Sequence, residues 1–243
     1  MVSKKLRALI LAAGYGTRLG EQTKSLPKAL IEVGGIPIID RTIHKLVEVG
    51  ITEITINTHY LSEMVVVHLN KRFQNLNIRI VFEPKLLGTA GTLKANIEWL
   101  AIDDFIVMHG DNFFTDTLFA LTMNDLKPGN LVRAGTFLTN DPMNCGVFTV
   151  SEDNSVIYFD EKKQHAKSNI ANAAIYRFSK YALNLVSNLN LNEKDISLHV
   201  LPLVLDKIEL APLKGDFIDI GTESGLKLAN ILSNPLQAMR NRK

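Results

Sequence analysis

Residues Leu6–Gly20 read LRALILAAGYGTRLG, and the reading of this stretch decides the fold. Leu6–Ala12 is an apolar run of strand length that passes straight into a loop carrying Gly14, Gly16 and Gly20. A short apolar run closed by glycine marks a buried strand. The alternation continues outward from it. Ile38–Val49 sets Ile39, Ile43, Leu46 and Val47 on one face at helical spacing, and Gly50 stops that helix. Glu53–Thr58 reads as a strand, Ser62–Phe73 as a helix with Ser62 as its N-cap, Ile78–Glu83 as a strand and Gly91–Leu100 as a helix. Phe105–Met108 is a further strand that ends in His109-Gly110-Asp111. Strand and helix in alternation imply right-handed βαβ units and a parallel sheet. Ligands of such sheets bind outside the carboxyl ends of the strands. Gly14–Arg18, Glu83–Gly91 and Gly110–Asp111 are therefore expected to share one crevice.

After residue 125 the rhythm changes. Leu131–Leu138, Gly146–Val150, Val156–Asp160 and Ala171–Phe178 are strand-like, Tyr181–Leu189 and Ile196–Leu205 helical, Ile208–Leu213 and Phe217–Ile220 strands, and Thr222–Leu232 a closing helix. No repeat or low-complexity linker interrupts the chain. The fold class expected is α/β, one domain over residues 1–243, with a mixed, mainly parallel central sheet.

Composition excludes several function classes. The 243 residues are 46% hydrophobic and 21% charged, with 27 Lys and Arg against 25 Asp and Glu, which is not the composition of a disordered chain. A net charge of +2 does not grip nucleic acid by bulk electrostatics. No apolar run is long enough to span a bilayer and no secretory signal is seen, so no membrane partner is expected. Cys145 is the only cysteine, which fits a reducing cytoplasm and excludes a cysteine-rich zinc site.

The glycine loop discriminates between known phosphate loops. Glycines there permit left-handed backbone and let N–H groups approach an anion. The dinucleotide fingerprint fails at Leu19, where a third glycine is required, and no G-K-[ST] triplet exists in the chain. A tight turn without ligand is an open alternative for the loop alone. Arg18 and Lys28, the latter held behind Pro27, add two cations to a loop of backbone donors, as a triphosphate requires. Asp111 and Asp219 each stand at a strand end beside a glycine. Taken alone, such a residue is more often a turn former or a helix N-cap than a metal ligand.

The spaced motifs Gly14–Leu19 with Pro27-Lys28, Leu87–Gly91, Gly110-Asp111, Glu161-Lys162, Asn172 and Asp219–Thr222 resemble, in order, the signature of the sugar-1-phosphate nucleotidylyltransferases, and nearest their short mannose-1-phosphate and heptose-1-phosphate guanylyltransferases. The resemblance implies a Rossmann-like, GT-A-like three-layer fold and the transfer of a nucleoside monophosphate from a triphosphate to a sugar-1-phosphate with release of pyrophosphate. It implies catalytic roles for Arg18 and Lys28 and a Mg²⁺ cofactor on Asp111 and Asp219. It implies nucleotide contacts from Leu11, Ala13, Gly14, Gly16, Thr17, Glu83, Gly88 and Thr89. It implies sugar-phosphate contacts from Asn112, Gly146, Glu161, Lys162 and Asn172. A homodimer is compatible with it, and the left-handed β-helix that ends many longer relatives is expected to be absent.

The resemblance implies that the residue five before Gly88, which is Glu83, reads the base edge; a carboxylate accepts hydrogen bonds only, and guanine offers two adjacent donors, so Glu83 there favours GTP. Transfer to uridylyl, thymidylyl or cytidylyl chemistry is the alternative on the same scaffold. A glycosyltransferase is disfavoured because the chain has no D-x-D motif. A regulatory subunit that only binds nucleotide sugars is disfavoured because Arg18, Lys28, Asp111 and Asp219 are all retained. His109 is read as packing or lining the cleft, His44 and His68 as surface or boundary residues, and His59, His165 and His199 as having no metal spacing to each other or to Cys145; Trp99 and the phenylalanines are read as core, and Arg240–Lys243 as a frayed terminus.

Overall fold

The computed structural model describes residues 6–163, 166–190 and 192–234; His165 and the tail Arg240–Lys243 lie outside them. In chain order the elements are β1 (Arg7–Leu11), β2 (Glu32–Val33), β3 (Ile36–Pro37), α1 (Ile38–Glu48), β4 (Glu53–Thr58), α2 (Ser62–Arg72), β5 (Asn77–Phe82), α3 (Thr89–Ala95) and α4 (Ile97–Leu100). They continue with β6 (Phe105–His109), β7 (Asn112–Phe114), α5 (Phe119–Thr122), β8 (Val132–Leu138), β9 (Gly146–Val150), β10 (Val156–Glu161) and β11 (Ile170–Phe178). The last are α6 (Leu183–Ser187), β12 (Ile208–Pro212), β13 (Phe217–Asp219) and α7 (Glu223–Ser233). The result is the α/β architecture of mixed sheet and flanking helices that the alternation predicts. The described residues fall into two compact units, one drawn from residues 6–9, Leu87–Met108 and the described part of Leu118–Leu213, the other from Ile10–Leu86, His109–Thr117 and residues 214–234.

The second unit carries the βαβ pattern. β4 and β5 pair in parallel from Glu53↔Asn77 to Thr58↔Phe82. Helix α1 buries Ile38, Ile39, Thr42, Ile43 and Leu46, whereas Val47 is exposed. At about 100° per residue Val47 points well away from the centre of that stripe, which corrects the expectation that it shares the apolar face. Asp40 is also buried, because α2 supplies His68 at 2.6 Å and Arg72 at 3.4 Å as partners. Ser62 is the first helical residue of α2 and not its cap. The cap position belongs to Leu61 in left-handed backbone (φ 49°), with no side-chain hydrogen bond. A second core joins Leu19, Ile31, Val33, Ile38, Phe113, Ile220, Leu226 and Ala229. It is built from segments far apart in sequence, and β7 pairs antiparallel with β13 through it, Asn112 opposite Asp219.

The first unit is largely antiparallel. β10 pairs with β9, and β11 pairs with β9, β8 and β6. β12 adds to β8 in parallel. The register of β11 against β8 shifts between Asn172 and Tyr176, where Ala174 takes a positive φ of 49°. Asn172 itself still pairs in register with Thr136, and the irregularity lies beyond it. The helix expected over Gly91–Leu100 is broken at Asn96, whose side chain donates to the Thr92 carbonyl at 2.9 Å and so competes with the backbone ladder. Ile196–Leu205 forms a π-type turn followed by a 3₁₀ segment containing Pro202, not a regular α-helix. Trp99 is half-buried under the Arg7 guanidinium, 4.9 Å from the ring centre, and Phe82 and Phe119 are exposed, so not all aromatic residues are core. Among the described residues no helix is long and apolar enough to cross a membrane.

Candidate active site

Each charged residue of the second unit's site sits next to a residue of its core. Arg18 precedes Leu19, Lys28 leads into the 3₁₀ turn before Ile31, Asp111 stands two residues before Phe113, and Asp219 precedes Ile220. Hydrophobic packing thus fixes the backbone of four segments, and their polar neighbours converge. Lys28 is buried, and its Nζ contacts Asp111 Oδ2 and lies 3.6 Å from Asp219 Oδ1. Arg18 Nη2 donates to Asp219 Oδ2 at 3.1 Å from an exposed position. The Gly221 N–H donates to Asp219 Oδ1 at 2.7 Å. Burial alone would push the Asp219 carboxyl up; Lys28, the Gly221 N–H and Arg18 outweigh it and hold the group below the usual carboxylate range. The helix-cap alternative for Asp219 is excluded, because Thr222 caps α7 by accepting from the Gly225 N–H.

The glycine loop lies on the same unit. Leu11 ends β1, with its carbonyl taking the Gly110 N–H at 2.9 Å. Ala13 is buried, and Gly14 and Thr17 are exposed. Gly16 adopts φ 69°, and a Cβ there would stand 2.9 Å from Thr23 Cγ2 and 3.1 Å from Lys28 Cβ, so only glycine fits beside the lysine. Among the described residues the N–H groups of Gly14, Tyr15 and Gly16 donate to no backbone acceptor. They form a set of donors suited to an anion. Glu83 is buried at the end of β5 and accepts from Asn57 Nδ2 at 2.9 Å, while Asn57 Oδ1 accepts from the Ala12 N–H at 2.7 Å. The Glu83 side chain therefore does not face solvent. Sequence reading missed Asn57; only its place near the end of a strand, inside EITINT, signals it.

The donor set can be tested against a hard divalent cation. Two carboxylates from paired strand ends reach one ammonium, which stands where a cation would. Gly221 keeps this spot concave. A Cβ there would lie 2.6 Å from Arg18 Nη2 and 2.8 Å from both Asp219 Oδ1 and Lys28 Nζ. Among the described residues no three His, Cys, Asp or Glu side chains gather as a metal site, and at this spot the described residues bring two carboxylates together. That fits Mg²⁺, which takes one or two carboxylates and fills its shell with water and phosphate oxygens. Asn112, expected to contact the sugar phosphate, is buried within β7.

The first unit gathers the other predicted residues. The β9–β10 register puts Gly146 opposite Glu161. A Cβ at Gly146 would lie 2.5 Å from Glu161 Oε2 and 2.7 Å from Phe159 Cζ, so glycine makes room for the carboxylate. Lys162 follows with φ 51° and an exposed side chain, its N–H bonded to the Cys145 carbonyl. Burial pushes the Glu161 carboxyl up; Lys162 opposes the rise and Asp195 adds to it. Asn172 Nδ2 donates to the Tyr176 hydroxyl at 2.7 Å and lies 3.4 Å from Ser197 Oγ. Tyr176 is fully buried, and burial pushes its phenol above the usual range. Gly88 (φ 77°) abuts the Lys194 backbone, and Thr89 Oγ1 accepts from the Ile196 N–H at 2.8 Å. Gly88 and Thr89 thus belong to this unit, and their visible contacts anchor segment 194–196. Asp195 and Ser197 were not found from sequence, since they stand at the start of a segment read only as a helix, and a partner 107 residues away, Thr89, holds its first turn. Burial pushes the Cys145 thiol up, in keeping with an unreactive cysteine.

Comparison with known proteins agrees with this geometry. The chain is 31% identical over 229 residues to the mannose-1-phosphate guanylyltransferase catalytic subunit beta of Drosophila pseudoobscura pseudoobscura, covering 90% of this chain and 60% of that protein. It is 30% identical over 233 residues to the bifunctional protein GlmU of Methanococcus aeolicus, covering 93% and 54%. The chain thus spans between about half and three-fifths of the length of these curated relatives. Its fold matches a Bacillus anthracis protein named as a candidate glucose-1-phosphate thymidylyltransferase, in complex with a sucrose, with a TM-score of 0.86 at 25% identity over 95% of this chain and 96% of that one. HddC from Yersinia pseudotuberculosis shares the fold with a TM-score of 0.79 at 23% identity, covering 94% and 100%. Residues 7–231, from β1 into α7 and so across every segment that carries the charged cluster, match the nucleotidyl transferase family, to which this chain belongs.

Proposed function

We propose that the chain transfers a nucleoside monophosphate, from GTP by preference, to a mannose- or heptose-type sugar-1-phosphate. The observation that carries this reading is the buried Lys28 ammonium set between Asp111 and Asp219, with Arg18 on Asp219 and the glycine loop on the same unit. A phosphate oxygen of the sugar-1-phosphate attacks the α-phosphorus in line, a new P–O bond forms, and the bond to the β-phosphate oxygen breaks to release pyrophosphate. A sugar phosphate is already ionised at neutral pH, so no general base is required. Charge accumulates on the equatorial oxygens, and catalysis rests on positioning and cations. The N–H groups of Gly14 and Gly16, with Leu11, Ala13 and Thr17, cradle the triphosphate. Arg18 holds the departing phosphates and Lys28 neutralises charge near the α-phosphorus. Asp111 and Asp219 would hold Mg²⁺, which when bound supplies charge neutralisation to phosphate oxygens. On the first unit Lys162 holds the sugar phosphate beside Gly146, and Glu161 and Asn172 take sugar hydroxyls. Gly88 and Thr89 support the nucleotide side.

The preference for GTP rests on Glu83, an acceptor-only group at the base-reading position, and on the guanylyltransferase relatives at about 30% identity. Uridylyl, thymidylyl or cytidylyl transfer on the same scaffold is the second reading, and the name of the Bacillus anthracis relative bears on the thymidylyl case. Residues 1–243 are taken as one catalytic domain acting in the cytoplasm on small molecules, as a monomer or homodimer, in nucleotide-sugar synthesis for polysaccharide or glycoprotein assembly. The test is pyrophosphate release by purified protein with Mg²⁺, four nucleoside triphosphates and a panel of sugar-1-phosphates. Turnover with GTP and a mannose-type phosphate is expected. No turnover with any pair refutes the enzyme reading, and turnover with UTP or dTTP but not GTP refutes the Glu83 argument alone.

A further inference from the structure

Three consecutive residues at the end of β4 hold one residue at the end of β5. The Asn57 side chain donates to the Glu83 carboxylate at 2.9 Å. The Thr58 carbonyl accepts from the Glu83 N–H at 2.8 Å. The His59 ring lies with Nδ1 2.6 Å from the Glu83 carbonyl oxygen. Side chain, N–H and C=O of Glu83 are thus each tied, and Pro84 fixes the chain beyond. Two of the three ties reach further. Asn57 also accepts from the Ala12 N–H, and His59 Nε2 lies 2.9 Å from the Tyr15 hydroxyl in the glycine loop.

The chemistry of the partners sets the direction of every bond. The Glu83 carbonyl can only accept, so His59 Nδ1 carries the proton. In the neutral ring Nε2 is then an acceptor, and Tyr15 donates to it. The Asn57 oxygen is committed to the Ala12 N–H, so its nitrogen faces Glu83. Asn57 lies in β4 and His59 just beyond its end, and both reach Glu83. The His59 ring is also packed, stacked on Phe82 at 6.4 Å and edge-on to Tyr15 at 5.2 Å. Neither polar link is needed to fill that space, since a phenylalanine would pack as well.

We propose that Asn57 and His59 are positioning residues for base recognition: they lock Glu83 to the glycine loop, so that the group reading the base and the loop holding the phosphates keep one fixed spacing. The inference rests on Glu83 being the base reader. A nucleotide is gripped at both ends only if that spacing matches it, and the bidentate match that separates one base from another is worth on the order of 1–3 kcal/mol, or roughly ten- to a hundredfold in affinity. Loss of the clamp should therefore erode discrimination between bases and not affinity for triphosphate as such.

The test measures binding of GTP, UTP, dTTP and CTP by calorimetry to wild-type protein, His59→Phe and Tyr15→Phe. Thermal unfolding runs in parallel. His59→Phe keeps the ring and removes both polar links; Tyr15→Phe removes only the link to the loop. The preferred base should lose about tenfold relative to the others in His59→Phe, with a smaller loss of the same sign in Tyr15→Phe. Equal fractional loss for all four nucleotides, or none, overturns the clamp even if the melting temperature falls. A wild-type protein that binds several nucleotides without preference overturns Glu83 as the base reader and the clamp with it. A protein that binds none overturns the nucleotidyl transfer reading as well.

Discussion

Replacing Lys28 by methionine tests the charged cluster without touching the rest of the core. Methionine keeps most of the buried stem and removes the ammonium. The lysine side chain is 9% exposed, its partner carboxylates 28% and 47%. Breaking a fully buried ion pair by deleting one partner costs about 3–5 kcal/mol, and surface pairs about 0–1. Carboxylates this open to water place the loss at about 1–2 kcal/mol, since water can resolvate much of the freed charge. For a chain of this size that corresponds to roughly 2–8 °C in melting temperature. The informative readout is the response to Mg²⁺ without nucleotide. In the wild type the ammonium stands between the carboxylates and competes with a metal ion. In Lys28→Met the two carboxylates have lost that counter-charge. Magnesium at about a hundred times its dissociation constant would return about 2.7 kcal/mol to the variant. The variant should therefore gain more from Mg²⁺ than the wild type, measured by scanning calorimetry against an EDTA control. An equal shift in both proteins, or no loss on removing Lys28, would refute the reasoning.

Gly221→Ala should separate activity from stability. The atoms its methyl meets are the ends of flexible side chains, so melting should change by no more than a few degrees, while pyrophosphate release should fall by at least about a hundredfold because the concave spot is filled. Gly146→Ala meets Glu161 and the ring of Phe159; it should cost about 1–3 kcal/mol in urea unfolding and raise KM for the sugar phosphate more than for the nucleotide. Glu161→Gln should stabilise the fold at neutral pH, because burial raises the native carboxyl pKa and penalises the charged form. That gain should disappear as pH falls through the raised pKa, where wild-type Glu161 is itself protonated. An advantage that grows in acid contradicts the assignment.

The parts of the fold readable from sequence are those in which local pattern and tertiary environment agree. β4 matches the expected span Glu53–Thr58 residue for residue, and Gly50 at φ 82° ends α1 as expected. Divergence comes where a distant partner decides. Asp40 is buried because α2 brings His68 and Arg72 to it, which no periodicity in α1 reports. Asn96 breaks a helix by capturing a carbonyl with its own side chain. The site followed the same rule. Arg18, Lys28, Asp111 and Asp219 were recognisable by spaced motifs, and the core that gathers them was visible only as scattered apolar residues. Asn57 and His59 act through bonds to residues 24 to 45 positions away and leave no local mark.

The antiparallel pairing of Asn112 with Asp219 also sets the order in which the site can come into being. Lys28 meets Asp111 across 83 residues, and Arg18 meets Asp219 across 201. Contacts of such separation form late, after local structure has shortened the loops between them. During vectorial synthesis a chain extended to β12 already holds the glycine loop, Lys28 and Asp111, but only one carboxylate of the pair. The charged cluster is completed when the strand carrying Asp219 docks beside β7. Cluster formation therefore reports that three segments of the second unit, the last of them beyond residue 213, have come together, and a chain made only as far as β12 carries no complete centre.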